Sequence, residues 1–287
     1  HADLNVVAIN DLGDPENLAY LLRFDSAYGR YNQLVEVEES DGKRYLTVGD
    51  RRILFLQEQE PTHLPWGDLG IDIVVESTGV FESYEKARVH ITAGAKRVVI
   101  TAPAKDEDTD DAKTVLMGVN SDEMETCILS SNGSCTTTSA APILEVLSKK
   151  LGVKKAFLNT IHSYTTTQNL SDGPVKGHDF RRGRAAAANI VPSTTGSAIA
   201  VGRAVSSVAG KFDGVAIRVP TLTGSLSAIT FLAKRKTTVE EINAMLQEAA
   251  GESRWKGIFT VTYEQLVSSD IIGDPHASIA DLSLTKV

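Results

Sequence analysis

The chain is short of the residues that mark secreted, membrane-spanning or metal-dependent proteins. It has two cysteines, Cys127 and Cys135, too few for a disulfide framework, so a reducing, cytoplasmic setting is expected. No apolar run reaches the length of a membrane span. The six histidines show none of the spacings of a metal site. Basic residues are outnumbered, 29 against 37, giving a formal net charge of -8, which argues against nucleic-acid backbone binding as the main task. There is no internal repeat, no low-complexity segment, no secretory signal and no G-x-G-x-x-G, and the chain begins with His1 rather than Met.

What is present is globular. A length of 287 residues at 42% hydrophobic allows one large domain or two ordinary ones with real cores. LNVVAIN (4–10) reads as a buried strand, and Asp14-Pro15 as the cap and first residue of a helix carrying Leu18, Leu21 and Leu22. Three alternating runs broken by Asp41-Gly42 and Gly49-Asp50 predict a meander. IDIVVEST (71–78), a helix over 83–94 and KRVVIT (96–101) complete a strand–helix alternation, the pattern of a parallel sheet covered by helices. After an amphipathic helix over 136–151, long β-prone runs dominate. They are interrupted by one helix with the capping box Thr238-Val239-Glu240-Glu241. The fold class expected is α/β, followed by an α+β part with a mostly antiparallel sheet, with the boundary near residue 131.

Several residues carry chemistry. Cys135, in SSNGSCTTTSAAP, stands at a predicted helix N-terminus among small polar neighbours, where free N–H groups and the helix dipole favour a thiolate. Cys127, in the apolar TCILS, reads as a packing residue. A nucleophilic thiol needs a base; His162, in a strand beside Ser163, is the candidate, although a strand histidine is more often structural. Arg218 shares a strand face with Ala216, opposite Val215, Ile217 and Val219. It is either an ion-pair partner or a fixed anion clamp. RRGR (181–184) is a solvated loop or a second cationic cluster, and STTG (193–196) could offer hydroxyls and N–H groups to an oxyanion. Asp11, ending the first strand, either makes a turn with Asn10 or binds an adenosine ribose.

The stretches VVAINDL, ESTGVF, AGAKRVVITAPAK, SNGSCTT, TIHSYT, FRRGR, NIVPSTTG, AIRVPT and VSSDIIGDPHASI, in this order, resemble the phosphorylating glyceraldehyde-3-phosphate dehydrogenases along the whole chain. The resemblance implies a Rossmann-type NAD-binding domain over 1–131 and a catalytic domain over 132–287. It implies that Cys135 attacks the aldehyde, that His162 takes the proton, and that inorganic phosphate releases the resulting thioester. Arg218, Thr165 and Thr167 would hold the substrate phosphate of glyceraldehyde 3-phosphate. Arg181, Ser134, Thr136, Thr195 and Gly196 would hold the attacking phosphate. Asp11, Ser77, Thr78, Gly79 and Thr101 would line the NAD cleft, the carboxylate of Asp11 favouring NAD over its 2′-phosphorylated relative. A homotetramer is expected of the intact protein, with no nucleic acid or membrane as partner and no metal.

The chain also departs from the family. Thr138 stands where Asn is usual, Ser139 and Ala140 replace commoner residues, Gln59 stands where an Arg is frequent, and TLTGSLSAI follows RVPT unusually. By this comparison the first strand, the glycine-rich phosphate loop, the first helix, the nicotinamide-holding Asn and the final helix are not in the chain. A fragment of marginal stability with exposed strand edges is therefore expected. Erythrose 4-phosphate as substrate, a semialdehyde dehydrogenase, a Cys–His hydrolase and a non-catalytic member of the same family are the alternatives.

Overall fold

The structure is a computed structural model and describes residues 4–287. Packing divides the chain into two compact units. One runs up to Val75 and includes Glu85–Val98; the other comprises Glu76–Tyr84 and Val99–Val287.

The smaller unit opens with strand β1 (Ala8–Asn10) and helix α1 (Pro15–Arg23). Asp14 caps α1 by accepting from the Asn17 N–H, with Pro15 at the first helical position. A two-residue pair of strands, β2 (Phe24–Asp25) and β3 (Gly29–Arg30), leads to a meander of β4 (Val35–Ser40), β5 (Lys43–Val48) and β6 (Arg51–Leu56). Asp41 and Gly42 turn the first hairpin with φ of 52° and 69°, the type I′ geometry that matches strand twist. β1 pairs in parallel with β6, in the order β1-β6-β5-β4. Ala19 of α1 packs on Val35 and Leu46 as a small core. The expected strand over 4–10 is shorter in the structure. Residues 4–7 make no ladder, and Leu4, Val6 and Val7 are exposed; β6 is the one strand paired with β1 among the described residues.

Strands β7 (Ile73–Glu76) and β8 (Arg97–Ile100) follow, with α2 (Tyr84–Ala87) and α3 (Val89–Thr92) between them in sequence. The single helix expected over 83–94 is thus two one-turn pieces. Arg88 breaks the ladder with ψ at -18°, a 3₁₀-like value. Gly94 ends the segment with φ at 103°, and a Cβ there would lie 2.5 Å from Gly67 Cα and N.

In the larger unit, β9 (Ala112–Thr114) and β10 (Leu129–Ser131) pair in parallel and extend the sheet in the order β7-β8-β10-β9. Cys127 precedes β10 rather than lying in it, and is buried as expected of a packing thiol. Helix α4 (Cys135–Lys150) runs into the long strand β11 (Val153–Ser163). β12 (Val191–Thr194), α5 (Ser197–Ala204), β13 (Phe212–Val219), β14 (Ser225–Ala233) and α6 (Val239–Ala250) follow, and β15 (Phe259–Thr262) pairs with β16 (Ser278–Asp281). The main sheet has the order β12-β13-β11-β14, antiparallel except for the β11–β13 pair. Along β14 partly buried and exposed residues alternate without a break. The inner face carries Leu158, Phe212, Ala216, Ile229 and Phe231 against α4, α5 and α6, with Trp255 and Phe259 fully buried beside them. The capping box at α6 forms as expected, the Thr238 hydroxyl accepting from the Glu241 N–H.

Because a side chain at Gly94 meets backbone as well as an unfavourable φ, Gly94→Ala is expected to lower unfolding free energy by about 3 kcal/mol. A urea titration of the variant against the parent chain measures it.

Candidate active site

The reactive centre lies wholly within the larger unit. Ser134 is the N-cap of α4, its hydroxyl accepting from the Thr137 N–H at 3.2 Å, so Cys135 is the first helical residue. Thr138, the departure noted above, donates its hydroxyl to the Cys135 carbonyl at 3.1 Å and ties down the first turn. Cys135 is open to solvent, and its Sγ lies 3.0 Å from His162 Nε2. His162 reaches the thiol from β11. The parallel pairing of β11 with β13 sets His162 directly beside Arg218, so both side chains emerge on the face that α4 covers. Arg218 Nη1 lies 2.7 Å from His162 Nδ1 and donates to the Ser163 carbonyl at 3.0 Å.

These neighbours set the charge state. Burial pushes the Cys135 thiol up, but the hydrogen bond and charge of His162, with the hydroxyl and N–H of Thr136, outweigh it and hold the thiol below its ordinary value. The contact with Cys135 holds His162 above the usual imidazole range against the effect of burial. The Ser163 carbonyl adds to that rise and the Arg218 charge works against it. Burial also holds Arg218 below the usual guanidinium value. The pair is therefore biased towards thiolate and imidazolium, the state of an activated nucleophile.

A chain of hydroxyls joins the start of α4 to the start of α5. Thr195 donates to Ser197 Oγ at 2.8 Å, Ser197 Oγ lies 2.9 Å from Ser134 Oγ, and Ser134 Oγ lies 2.9 Å from Thr137 Oγ1. Gly196 is the N-cap residue of α5. Ser134, Thr195 and Gly196, three of the residues the resemblance assigns to the attacking phosphate, are thus brought together. Ser197 and Thr137, which complete the chain, were not foreseen. Both are buried hydroxyls at helix starts, a placement that an S-T-T-G-S run hints at but that only the meeting of two helices reveals. Thr165 and Thr167 face each other, their hydroxyls 3.0 Å apart. Arg181 is turned to Asp179, its Nε 2.7 Å from Oδ1, and Arg182 shares the same carboxylate at 3.6 Å.

On the cofactor side, each unit holds part of the expected set. In the larger unit Ser77, Gly79 and Thr101 line a cleft of about 230 Å³ with Glu76, Phe81 and Ile100. It opens at the carboxyl ends of β7 and β8, where α/β sheets receive nucleotides. Thr101 donates through its N–H and hydroxyl to the Glu76 carbonyl at 3.0 and 3.2 Å, and the Thr78 N–H donates to the Glu76 carboxylate at 2.8 Å. In the smaller unit Asp11 follows the end of β1, exposed, its carboxylate accepting from the Gly13 N–H at 2.7 Å. An exposed carboxylate at a strand's carboxyl end fits a ribose hydroxyl pair, and hydroxyls with a glycine at two strand ends fit a dinucleotide. No helix among the described residues is long and apolar enough to cross a membrane.

Removing the imidazole is expected to raise the pH at which Cys135 alkylates. A depressed thiol pKa moves the reactive limb to lower pH, and His162→Asn should return it towards about 8.5. Peptide mass spectrometry of iodoacetamide labelling against pH checks this, with buried Cys127 as the slow internal reference.

Residues 134–287 match the family profile of the glyceraldehyde 3-phosphate dehydrogenase C-terminal domain, and residues 1–84 that of its NAD binding domain. Glyceraldehyde-3-phosphate dehydrogenase of Mycobacterium avium is 49% identical over 288 residues, covering 100% of this chain and 82% of the relative. That of Mycolicibacterium smegmatis is 47% identical with the same coverage. That of Clostridium acetobutylicum is 45% identical, covering 99% of this chain and 81% of the relative. With both family profiles matched and a thiol–imidazole pair standing at the head of the buried helix, the chain belongs to the NAD-dependent glyceraldehyde-3-phosphate dehydrogenase family.

Proposed function

We propose that this family member carries out its NAD-dependent oxidation and phosphorylation of glyceraldehyde 3-phosphate at Cys135 and His162. The observation that carries this reading is the 3.0 Å contact between Cys135 Sγ and His162 Nε2 at the N-terminus of a 16-residue helix. The Cys135 thiolate attacks the aldehyde carbon, forming the S–C bond, and the oxygen takes a proton to give a hemithioacetal. His162 Nε2 then accepts the hydroxyl proton as the carbon–hydrogen bond breaks. Bound NAD supplies the hydride acceptor. A thioester remains on Cys135; an oxygen of inorganic phosphate attacks it, the S–C bond breaks, and Cys135 leaves as thiolate with 1,3-bisphosphoglycerate as product.

Around this pair, Arg218 with Thr165 and Thr167 holds the phosphate of the aldehyde substrate. Ser134, Thr136, Thr195 and Gly196 hold the attacking phosphate, with Arg181 swinging from Asp179 to join them. Asp11, Ser77, Thr78, Gly79 and Thr101 bind NAD. The functional boundary falls at 131/132, close to where the C-terminal family profile begins at residue 134. The protein works in the cytoplasm as a homotetramer. The outer face of the main sheet supports assembly, because Phe157, Val215, Leu226 and Leu232 are 40%, 41%, 56% and 59% exposed there. Such a patch on a soluble protein is the usual mark of an interface.

Cys135→Ser should abolish NADH formation, and His162→Asn should lower kcat by about 10²–10⁴-fold, the usual share of a general base. Steady-state assay at 340 nm, with glyceraldehyde 3-phosphate and erythrose 4-phosphate compared, measures both. The triose is expected to be preferred, and unchanged turnover in either variant overturns the assignment. Leu232→Asp, on the outer face, should lower the assembly state seen by analytical ultracentrifugation without unfolding the chain.

A further inference from the structure

Strand β7 buries alternate residues, Val74 and then Glu76. A carboxylate with 4% exposure on a core face is costly unless its oxygens are hydrogen-bonded, and the chemistry at Cys135 makes no use of it. Its Oε1 accepts twice from one residue, from the Thr78 N–H at 2.8 Å and the Thr78 hydroxyl at 2.5 Å. Thr78 Oγ1 in turn accepts from the Val80 N–H at 3.1 Å. The backbone of Glu76 holds the neighbouring strand end, its carbonyl taking the Thr101 N–H and hydroxyl at 3.0 and 3.2 Å. One residue thus grips both strand ends at the cleft of about 230 Å³. The turn depends on that grip. Residues 77–80 are all exposed, so apolar burial does not hold them, and Gly79 sits at a φ of 72°, a conformation with little intrinsic preference to recommend it outside glycine. Ser77 and Gly79 line the cleft, whereas Thr78 between them is drawn back to the carboxylate, with both its donors engaged there.

We propose that Glu76 is a positioning residue for the cofactor: its buried carboxylate forms the 77–80 turn in advance, so that the cleft has its shape before NAD arrives. This rests on the reading of Ser77, Thr78, Gly79 and Thr101 as the NAD-binding set of the larger unit, and it divides their work. Ser77 and Gly79 meet the cofactor at the cleft wall. Thr78 serves it through the shape of the turn, as the strut between the carboxylate and the Val80 N–H. Thr101 fixes the opposite wall, its own N–H and hydroxyl engaged by the Glu76 carbonyl. Without the carboxylate the exposed turn is free to sample other conformations. NAD then binds only the fraction of molecules in which the turn is formed, and the apparent affinity falls by that fraction. Thr78 N–H and Val80 N–H report the same fraction directly, because both lose their acceptors when the turn opens.

The test joins amide hydrogen exchange, read by NMR on the chain without cofactor, to calorimetry with NAD. In Glu76→Ala the Thr78 and Val80 amides should exchange about tenfold faster or more, and NAD should bind about tenfold more weakly or worse. The Thr101 amide should stay protected, because its acceptor is the backbone carbonyl that alanine keeps. Alkylation of Cys135 without cofactor should be unchanged, which separates a local turn from general loosening. Glu76→Gln, whose amide oxygen can still accept both hydrogens of Thr78, should restore much of the protection and the affinity. Thr78→Val should repeat the loss at Val80, and the double variant with Glu76→Ala should bind NAD no more weakly than the worse single one, since both remove one network. Ser77→Trp, which fills the cleft without touching Glu76, should block NAD. If it blocks NAD while Glu76→Ala leaves exchange or affinity as in the parent, the positioning role is overturned and the cofactor reading stands. Additive losses in the double variant overturn the single network. If the parent chain does not bind NAD, or Ser77→Trp binds it as well as the parent, the cofactor reading is overturned and the positioning role with it.

Discussion

The seating of α4 against the inner face of the main sheet is the constraint on which the reactive centre depends. Ala140, Ala141, Leu144, Val146 and Leu147 are almost fully buried there, and burying such side chains contributes about 1.5–3 kcal/mol apiece for the larger ones. That apolar contact fixes where the helix begins. A helix that begins at Cys135 places a thiol at the positive end of a dipole and within 3.0 Å of a strand histidine. The registration has polar pins as well. Ser139 Oγ lies 2.8 Å from Ser227 Oγ, and Ser278 donates to the Ser139 carbonyl at 2.8 Å. Ser139 and the segment containing Ser227 are two of the places where the chain departs from its family's usual sequence, and in the fold they meet.

The second constraint is the parallel pairing of β11 with β13 inside an otherwise antiparallel sheet. Parallel register sets His162 opposite Arg218, so a histidine and a half-buried cation share one face a few ångströms apart. Water would screen such a pair; partial burial does not. The result is a three-way balance in which the thiol gains from His162, and His162 gains from the thiol and the Ser163 carbonyl and loses to Arg218.

Local chemistry explains which elements could be read in advance. The caps at Asp14, Ser134 and Thr238 each bond the N–H three residues on, a consequence of side-chain type alone. Asp41-Gly42 turns as expected because few residues accept two positive φ values in succession. The misses have tertiary causes. The strand over 4–10 shortened to Ala8–Asn10 because a ladder needs partners, and β1 has one among the described residues. The helix over 83–94 split at Arg88, a dihedral change of a few tens of degrees that apolar periodicity cannot register.

The sequence by itself determined the chemistry available: a thiol in a polar setting at a helix start, a strand histidine, a mid-strand arginine and an S-T-T-G-S run. Each follows from residue types and their immediate neighbours, which act over a few ångströms along the chain. Only the tertiary structure decided which of these groups meet. Cys135 and His162 are 27 residues apart and His162 and Arg218 are 56 apart, and no local rule sets such distances. The hydroxyls of Ser134 and Ser197, 63 residues apart, met because two helices begin side by side, and His162 stands beside Arg218 because one strand pair runs parallel. Those facts are set by the packing of apolar faces, which is non-directional and collective, and so becomes legible only once the chain is folded.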